Sequence, residues 1–129
     1  MEDDEKQNLS DMFVNTLQDL LKEKKEHPKY NKKLESLNVN VNLILENIGD
    51  FGIILKNGEY EIVKGKKVDD AKLEIKSNFE NFFKYSSREI GDLNAIFTGK
   101  LKVKGKRHLF LLLKFGSMLK VIPEKELTN

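Results

Sequence analysis

The spacing of apolar residues changes along this chain from three and four to two, and the change falls at Asn38. Before it, Leu9, Met12, Phe13, Leu17, Leu20 and Leu21 recur at helical steps and share one helix face. Asn8 or Ser10 is expected to cap that helix, with Asp11 at its positive end. His27-Pro28 interrupts it, and Pro28 suits the first position of a short second helix carrying Tyr30, Leu34 and Leu37. After Asn38, Val39, Val41, Leu43 and Leu45 alternate with Asn40, Asn42 and Ile44, which predicts a strand. Phe51, Ile53 and Leu55 alternate up to Asn57-Gly58, a hairpin dipeptide because both residues tolerate positive φ. Tyr60 and Ile62 return toward Lys64-Gly65. Ala71, Leu73 and Ile75 mark a further strand, and Leu101 and Val103 a last one between Gly99 and Gly105.

Each of the five strands is apolar on one face and polar on the other, the pattern of an antiparallel sheet with one wet side. On that side Glu59, Glu61 and Glu74 are expected beside Lys72, Lys100, Lys102 and Lys104, a plain structural use for those lysines. The apolar side needs a cover. A helix capped by Ser77 or Asn78 carries Phe79, Phe82, Phe83 and Ile90, and a short piece from Asp92 carries Leu93, Ile96 and Phe97. A last helix lies within 106–122 and is stopped by Pro123. The fold expected is α+β in two layers, a mostly antiparallel five-stranded sheet covered on one face by helices. With 129 residues the chain makes one domain, over 9–122, between an acidic N-terminal tail at 1–8 and a C-terminal tail at 123–129.

Composition removes whole classes of chemistry. Cysteine is absent, which excludes disulfides, thiol catalysis and cysteine–zinc sites. His27 and His108 form no HxxxH or HExxH pair, and the acid pairs Asp3-Asp4 and Asp69-Asp70 fall in a terminus and a turn. No serine stands in a GxSxG elbow, and Gly99 and Gly105 do not make a nucleotide loop. The expectation is a non-enzyme without metal or cofactor. A net charge of +2, with Arg88 and Arg107 the only arginines, is too balanced for a nucleic-acid binder. An acidic start without a following apolar stretch, no run of ~20 apolar residues and an Asn129 ending unlike Ser-Lys-Leu together suggest a cytoplasmic setting. Between Thr98 and Ile122 stand seven cations and no acid, read either as a solvated face or as a patch for transient docking on anionic lipid head groups.

The last helix is greasier than a helix lying on a sheet requires. Leu109, Leu112 and Leu113 make one stripe, and Phe110, Leu111, Phe115, Met118, Leu119 and Ile122 extend far beyond it. The excess goes to deeper core, to a partner or to a cavity. Phe79, Phe82 and Phe83 are likewise too many for one narrow face. Aromatics and methionine on short helices over a sheet suit an adaptable lipid pocket. The candidate lining residues are Phe79, Phe82, Phe83, Ile96, Phe97, Leu109, Leu112, Leu113 and Met118.

Residues 96–105, Ile-Phe-Thr-Gly-Lys-Leu-Lys-Val-Lys-Gly, are similar to the glycine-bounded strand of the sterol carrier protein 2 family, the non-specific lipid-transfer proteins. The leucine-rich first helix, the His27-Pro28 link, the Asn57-Gly58 hairpin and the strand from Asp69 to Ile75 running into an aromatic helix also resemble that family, over roughly 10–122. The resemblance implies an apolar tunnel for sterols, fatty acids, acyl-CoA or phospholipids, with no catalytic residues. It does not carry sterol specificity with it. After Gly105 this chain departs from the family with Lys106-Arg107-His108, and Lys106 and Arg107 are candidates for a charged head group at the rim. The function expected is a non-catalytic lipid-binding or transfer protein, monomeric or weakly dimeric. The alternative is an accessory subunit presenting its apolar helical face to a lipid-modifying enzyme or to a second copy.

Overall fold

The computed structural model describes residues 3–105 and 109–127. The elements run α1 (Asp3–Glu26), α2 (Pro28–Glu35), β1 (Val39–Leu45), β2 (Gly49–Lys56), β3 (Glu59–Lys64), β4 (Leu73–Ser77), α3 (Phe79–Ser86), α4 (Asp92–Phe97), β5 (Lys102–Lys104), α5 (Leu109–Leu119) and α6 (Glu124–Leu127). The α+β reading holds.

Alternation built the sheet as expected. In β1, Val39, Val41, Leu43 and Leu45 are buried on the inner face. The β2–β3 hairpin turns on Asn57 (φ 54°) and Gly58 (φ 80°), both left-handed as a tight turn of this kind requires. The strand order is β3-β2-β1-β4-β5. Three of the four pairings are antiparallel, but β1 and β4 run parallel, Val41 facing Leu73 and Leu45 facing Ser77. The sheet is therefore mixed. A parallel pair needs a crossover, and alternation carries no information on strand direction.

The link between β3 and β4 supplies that crossover by passing over the outer face. Val68 N–H donates to Asn42 Oδ1 (2.7 Å) and Asn42 Nδ2 donates to Val68 O (3.1 Å). The Val68 side chain rests where a Cβ on Gly52 would stand, so a glycine is required beneath it. The outer face is thus not wet throughout.

On the inner face, α1, α2 and α5 join the sheet in one core that includes Phe13, Leu17, Leu21, Leu34, Phe51, Ile75, Phe115 and Met118. His27 caps α2, its Nδ1 accepting from Lys29 N–H. Several boundaries differ from the sequence reading. Helix α1 starts at Asp3, so residues expected as a tail lie in its first turns, where Asp4 and Glu5 face the positive helix end. Ser10 is consequently not a cap but a buried mid-helix residue, donating to Ile48 O (3.0 Å). Helix α3 ends at Ser86, leaving Ile90 outside it. Helix α5 ends at Leu119, ahead of Pro123, because Val121 N–H turns to Ser86 O (2.9 Å) and Ile122 N–H to Glu23 Oε1 (3.1 Å). The C-terminal stretch expected as a tail holds α6, where Glu126 accepts from Lys29 Nζ (2.7 Å) and Tyr30 OH (2.5 Å).

Candidate functional site

Helix α3 is a phenylalanine helix with two faces. Asn78 caps it, its side chain accepting from Asn81 N–H (2.8 Å). Phe82 and Tyr85, three apart, turn inward and are buried. Phe82 meets Phe13 of α1 edge-on at 5.1 Å, and Phe13 in turn leans on Phe51 of β2 at 4.9 Å. Phe79 and Phe83, four apart, stack on each other at 6.2 Å and stay half-exposed, at 48% and 59%.

Between these phenylalanines and α1 lies an apolar groove of about 180 Å³. Phe13, Thr16 and Leu20 form one wall, Phe79, Phe82 and Phe83 the other, and Val121 closes one side. Its hydroxyls are occupied locally: Thr16 Oγ1 donates to Met12 O (3.0 Å) and Ser86 Oγ to Leu119 O (2.8 Å). A groove with satisfied polar groups and no ionised group in its wall can hold a hydrocarbon but offers nothing to fix a head group. A larger concavity of about 550 Å³ at the end of α1 is lined by Asp19, Lys22, Glu23, Glu26 and His27, which suits water better than a chain.

The C-terminal end of α3 is anchored by charge. Tyr85 OH donates to Asp92 Oδ1 (2.6 Å) and Lys120 Nζ to Asp92 Oδ2 (2.9 Å), and the lysine also lies 5.2 Å from the Tyr85 ring centre. Burial, then the bond to Asp92, pushes the Tyr85 phenol far above its usual range, so it stays a donor. The C-terminal half of α3 is pinned while its Phe79–Phe83 edge is open.

The nine residues expected to line one pocket do not meet in one. Phe79, Phe82 and Phe83 line the groove. Leu112 and Met118 are buried core, Ile96 and Leu113 are half-buried, and Leu109 and Phe97 are exposed, Phe97 at 82%. Lys106 and Arg107 lie outside the described residues. Beneath α5, Leu112, Phe115, Met118 and Leu119 pack into the common core. The surplus of that helix divides between core and solvent, with Phe110 86% exposed. Phe13, Leu20 and Val121 were not foreseen as lining. Phe13 and Leu20 share the apolar face of α1, but nothing in their spacing names α3 as the opposite wall.

Among the described residues no group of three or more His, Cys, Asp or Glu could hold a metal ion, and no helix is long and apolar enough to cross a membrane.

The five-stranded mixed sheet with helices on one face is the fold shared with solved sterol carrier protein 2 structures. The chain belongs to the SCP-2 sterol transfer family, whose model matches residues 17–120. At the level of class it is a lipid-binding domain of the lipid-transfer type. Among solved structures it is similar to sterol carrier protein 2 from Yarrowia lipolytica in its apo form, at 19% identity, TM-score 0.59, covering 85% of this chain and 88% of that one. A further structure of sterol carrier protein 2 matches at 13% identity and TM-score 0.61, covering 84% and 96%. The stereoselective inverting sec-alkylsulfatase Pisa1 from Pseudomonas sp. matches at 20% identity and TM-score 0.63, with 72% of this chain covering 14% of the sulfatase. The likeness to that enzyme is thus confined to a small part of its length, and at these identities each likeness speaks for the fold. No curated protein matches the chain in sequence.

Proposed function

We propose that the protein is a non-catalytic carrier that shields one acyl or isoprenoid chain from water in the α1–α3 groove. The observation that carries the reading is the stacked, half-exposed pair Phe79 and Phe83 forming the open wall of an apolar groove in a chain of this family. At about 180 Å³ the groove is smaller than the ~300–1,000 Å³ of ordinary ligand sites. Loading therefore widens it, and the free edge of α3 is the wall that moves, since Tyr85 and Ser86 hold the other end.

Burying a methylene is worth ~0.8 kcal/mol, about 12 kcal/mol gross for a sixteen-carbon chain. Association costs about 4–15 kcal/mol. What remains is at best about 8 kcal/mol, a dissociation constant near micromolar. That range lets a carrier both load and release. Sterols, fatty acids, acyl-CoA and isoprenoids all present such a chain, and the groove has no polar group that selects among their heads. A cytoplasmic setting and brief contact with anionic membranes belong to the same reading. The accessory-subunit alternative is not favoured by the family or by the fold.

Mass spectrometry of an organic extract of the purified protein tests the proposal. A stoichiometric lipid is the expected result. An empty extract together with no displacement of a fluorescent fatty acid contradicts it.

A further inference from the structure

The strand order separates the charges on the outer face of the sheet. Glu59 and Glu61 stand on the edge strand β3, Lys102 and Lys104 on the opposite edge strand β5, and Lys76 on its neighbour β4. Three to four strand spacings of about 4.8 Å put these glutamates about 14–19 Å from the lysines. That exceeds the ~8 Å over which charges act in physiological salt. Glu59 is moreover paired with Lys25 of α1 at 2.7 Å. Glu59 and Glu61 are out of reach of these lysines, whereas Glu74, the third glutamate expected beside them, reaches Lys104.

Asp50 of β2 stands in line with Lys76 across Ile44 of β1, and among the described residues the carboxylate that pairs with lysines at this end is Glu74. Glu74 accepts Lys67 on one oxygen (2.7 Å) and Lys104 on the other (3.4 Å). Lys76 and Lys102 are partners across β4 and β5, so their side chains leave the same face about 5 Å apart. Among the described residues neither has an ion-pair partner. Like charges directly opposed across strands are unfavourable. Charged edge strands resist pairing with other chains, which accounts for Lys102 and Lys104. It does not account for Lys76, because β4 is an interior strand. These lysines, together with Lys67 and the Glu74 carboxylate, wall a concavity of about 330 Å³ floored by Ile44.

We infer that this concavity is a docking surface for an anionic bilayer, with a lipid phosphate seated between Lys76 and Lys102. Exposed lysines on flexible stems suit a surface that offers many phosphates better than a single small ion. The inference rests on the carrier reading for its purpose, since a carrier must meet membranes, but not for its chemistry. The docking surface and the groove lie on opposite sides of the sheet, so each is tested without disturbing the other.

The test is cosedimentation of the full chain with vesicles of phosphatidylcholine alone, or with one lipid in four replaced by phosphatidylserine. Binding to the anionic vesicles only, weakening as salt is raised, is expected. Lys76→Gln/Lys102→Gln should lower that binding about tenfold or more. Lys32→Gln/Lys125→Gln, the same charge change on α2 and α6, should leave it within about twofold. The first variant should melt no lower than the parent, because it removes an opposed like-charge pair. No binding to anionic vesicles, an equal loss in both variants, or tighter binding to a duplex oligonucleotide than to vesicles would overturn the inference. Fatty-acid displacement run alongside separates the two readings: its failure with vesicle binding intact removes the carrier and leaves the docking surface.

Discussion

The Tyr85 hydroxyl occupies the space that a Cβ on Gly116 would need. Helix α5 can therefore approach α3 and the start of α4 only at a residue without a side chain, and at that crossing Tyr85, Asp92 and Lys120 are bonded together. The absence of a methyl group at one position of α5 sets how α3 is held, and so where the groove lies.

Gly116→Ala is expected to destabilise the protein by about 1–3 kcal/mol through overpacking. The sign is informative because alanine is the better helix former by ~1 kcal/mol. Urea denaturation measures it. Combining the change with Tyr85→Phe, which takes away the crowding hydroxyl, should recover part of the loss. A more stable Gly116→Ala would show that the crossing is loose.

Asn42 and Val68 make the second fixed crossing, on the other face of the sheet. Asn42→Ala leaves the Val68 N–H and carbonyl without their partners, and about 1–3 kcal/mol should be lost. Hydrogen exchange at the Val68 amide should quicken with it. Unchanged exchange would mean that the strap is held elsewhere.

Lys24 is fully buried, its Nζ donating to Leu20 O (3.2 Å) and facing Glu23 at 3.5 Å. Burial lowers its pKa to about 8, against 10.5 for an ordinary lysine. The folded chain thus holds this proton less tightly than the unfolded one, and stability from this group rises with pH between about 8 and 10.5. Lys24→Met should be more stable at pH 7, by about 1–4 kcal/mol. That advantage should shrink as pH approaches 10.5. An advantage independent of pH would contradict the burial of a charged amine.

Glu126 titrates in the opposite sense. The hydrogen bonds from Lys29 and then Tyr30 lower its pKa to about 2, against an ordinary 4.5. Its contribution is present above about 4.5 and disappears as pH falls through about 2. Glu126→Gln should flatten the acid limb of the melting-temperature profile over that window. An unaltered limb would place acid sensitivity in other carboxylates.

These positions show what the order of residues makes legible. Alternation from Val39 to Ile62 and the Asn57-Gly58 turn mark three strands and their hairpin, because period two and left-handed turn residues are local properties. His27-Pro28 marks a helix start for the same reason. The acidic start is ambiguous, since Asp and Glu serve a solvated tail and the first turn of a helix equally. Strand order is not local at all. That is why β4 lay parallel to β1 without warning, and why Glu59 and Glu61 came to stand at the far edge from the lysines they were expected to neutralise. The groove was half legible: α3 announced its phenylalanines, but the wall opposite is set by how Phe13 packs between Phe51 and Phe82. The apolar surplus of α5 divides between core residues such as Phe115 and Met118 and exposed ones such as Phe110, a division that helical spacing alone does not set.

Displacement of a fluorescent fatty acid from the parent and from Phe83→Asp tests the central claim most directly. Phe83 is more exposed than buried, so the substitution should leave the melting temperature within a few degrees. The account predicts binding near micromolar for the parent and a loss of about tenfold or more for the variant, as a carboxylate enters the groove wall. Equal binding by both proteins would put the lipid somewhere other than between α1 and α3.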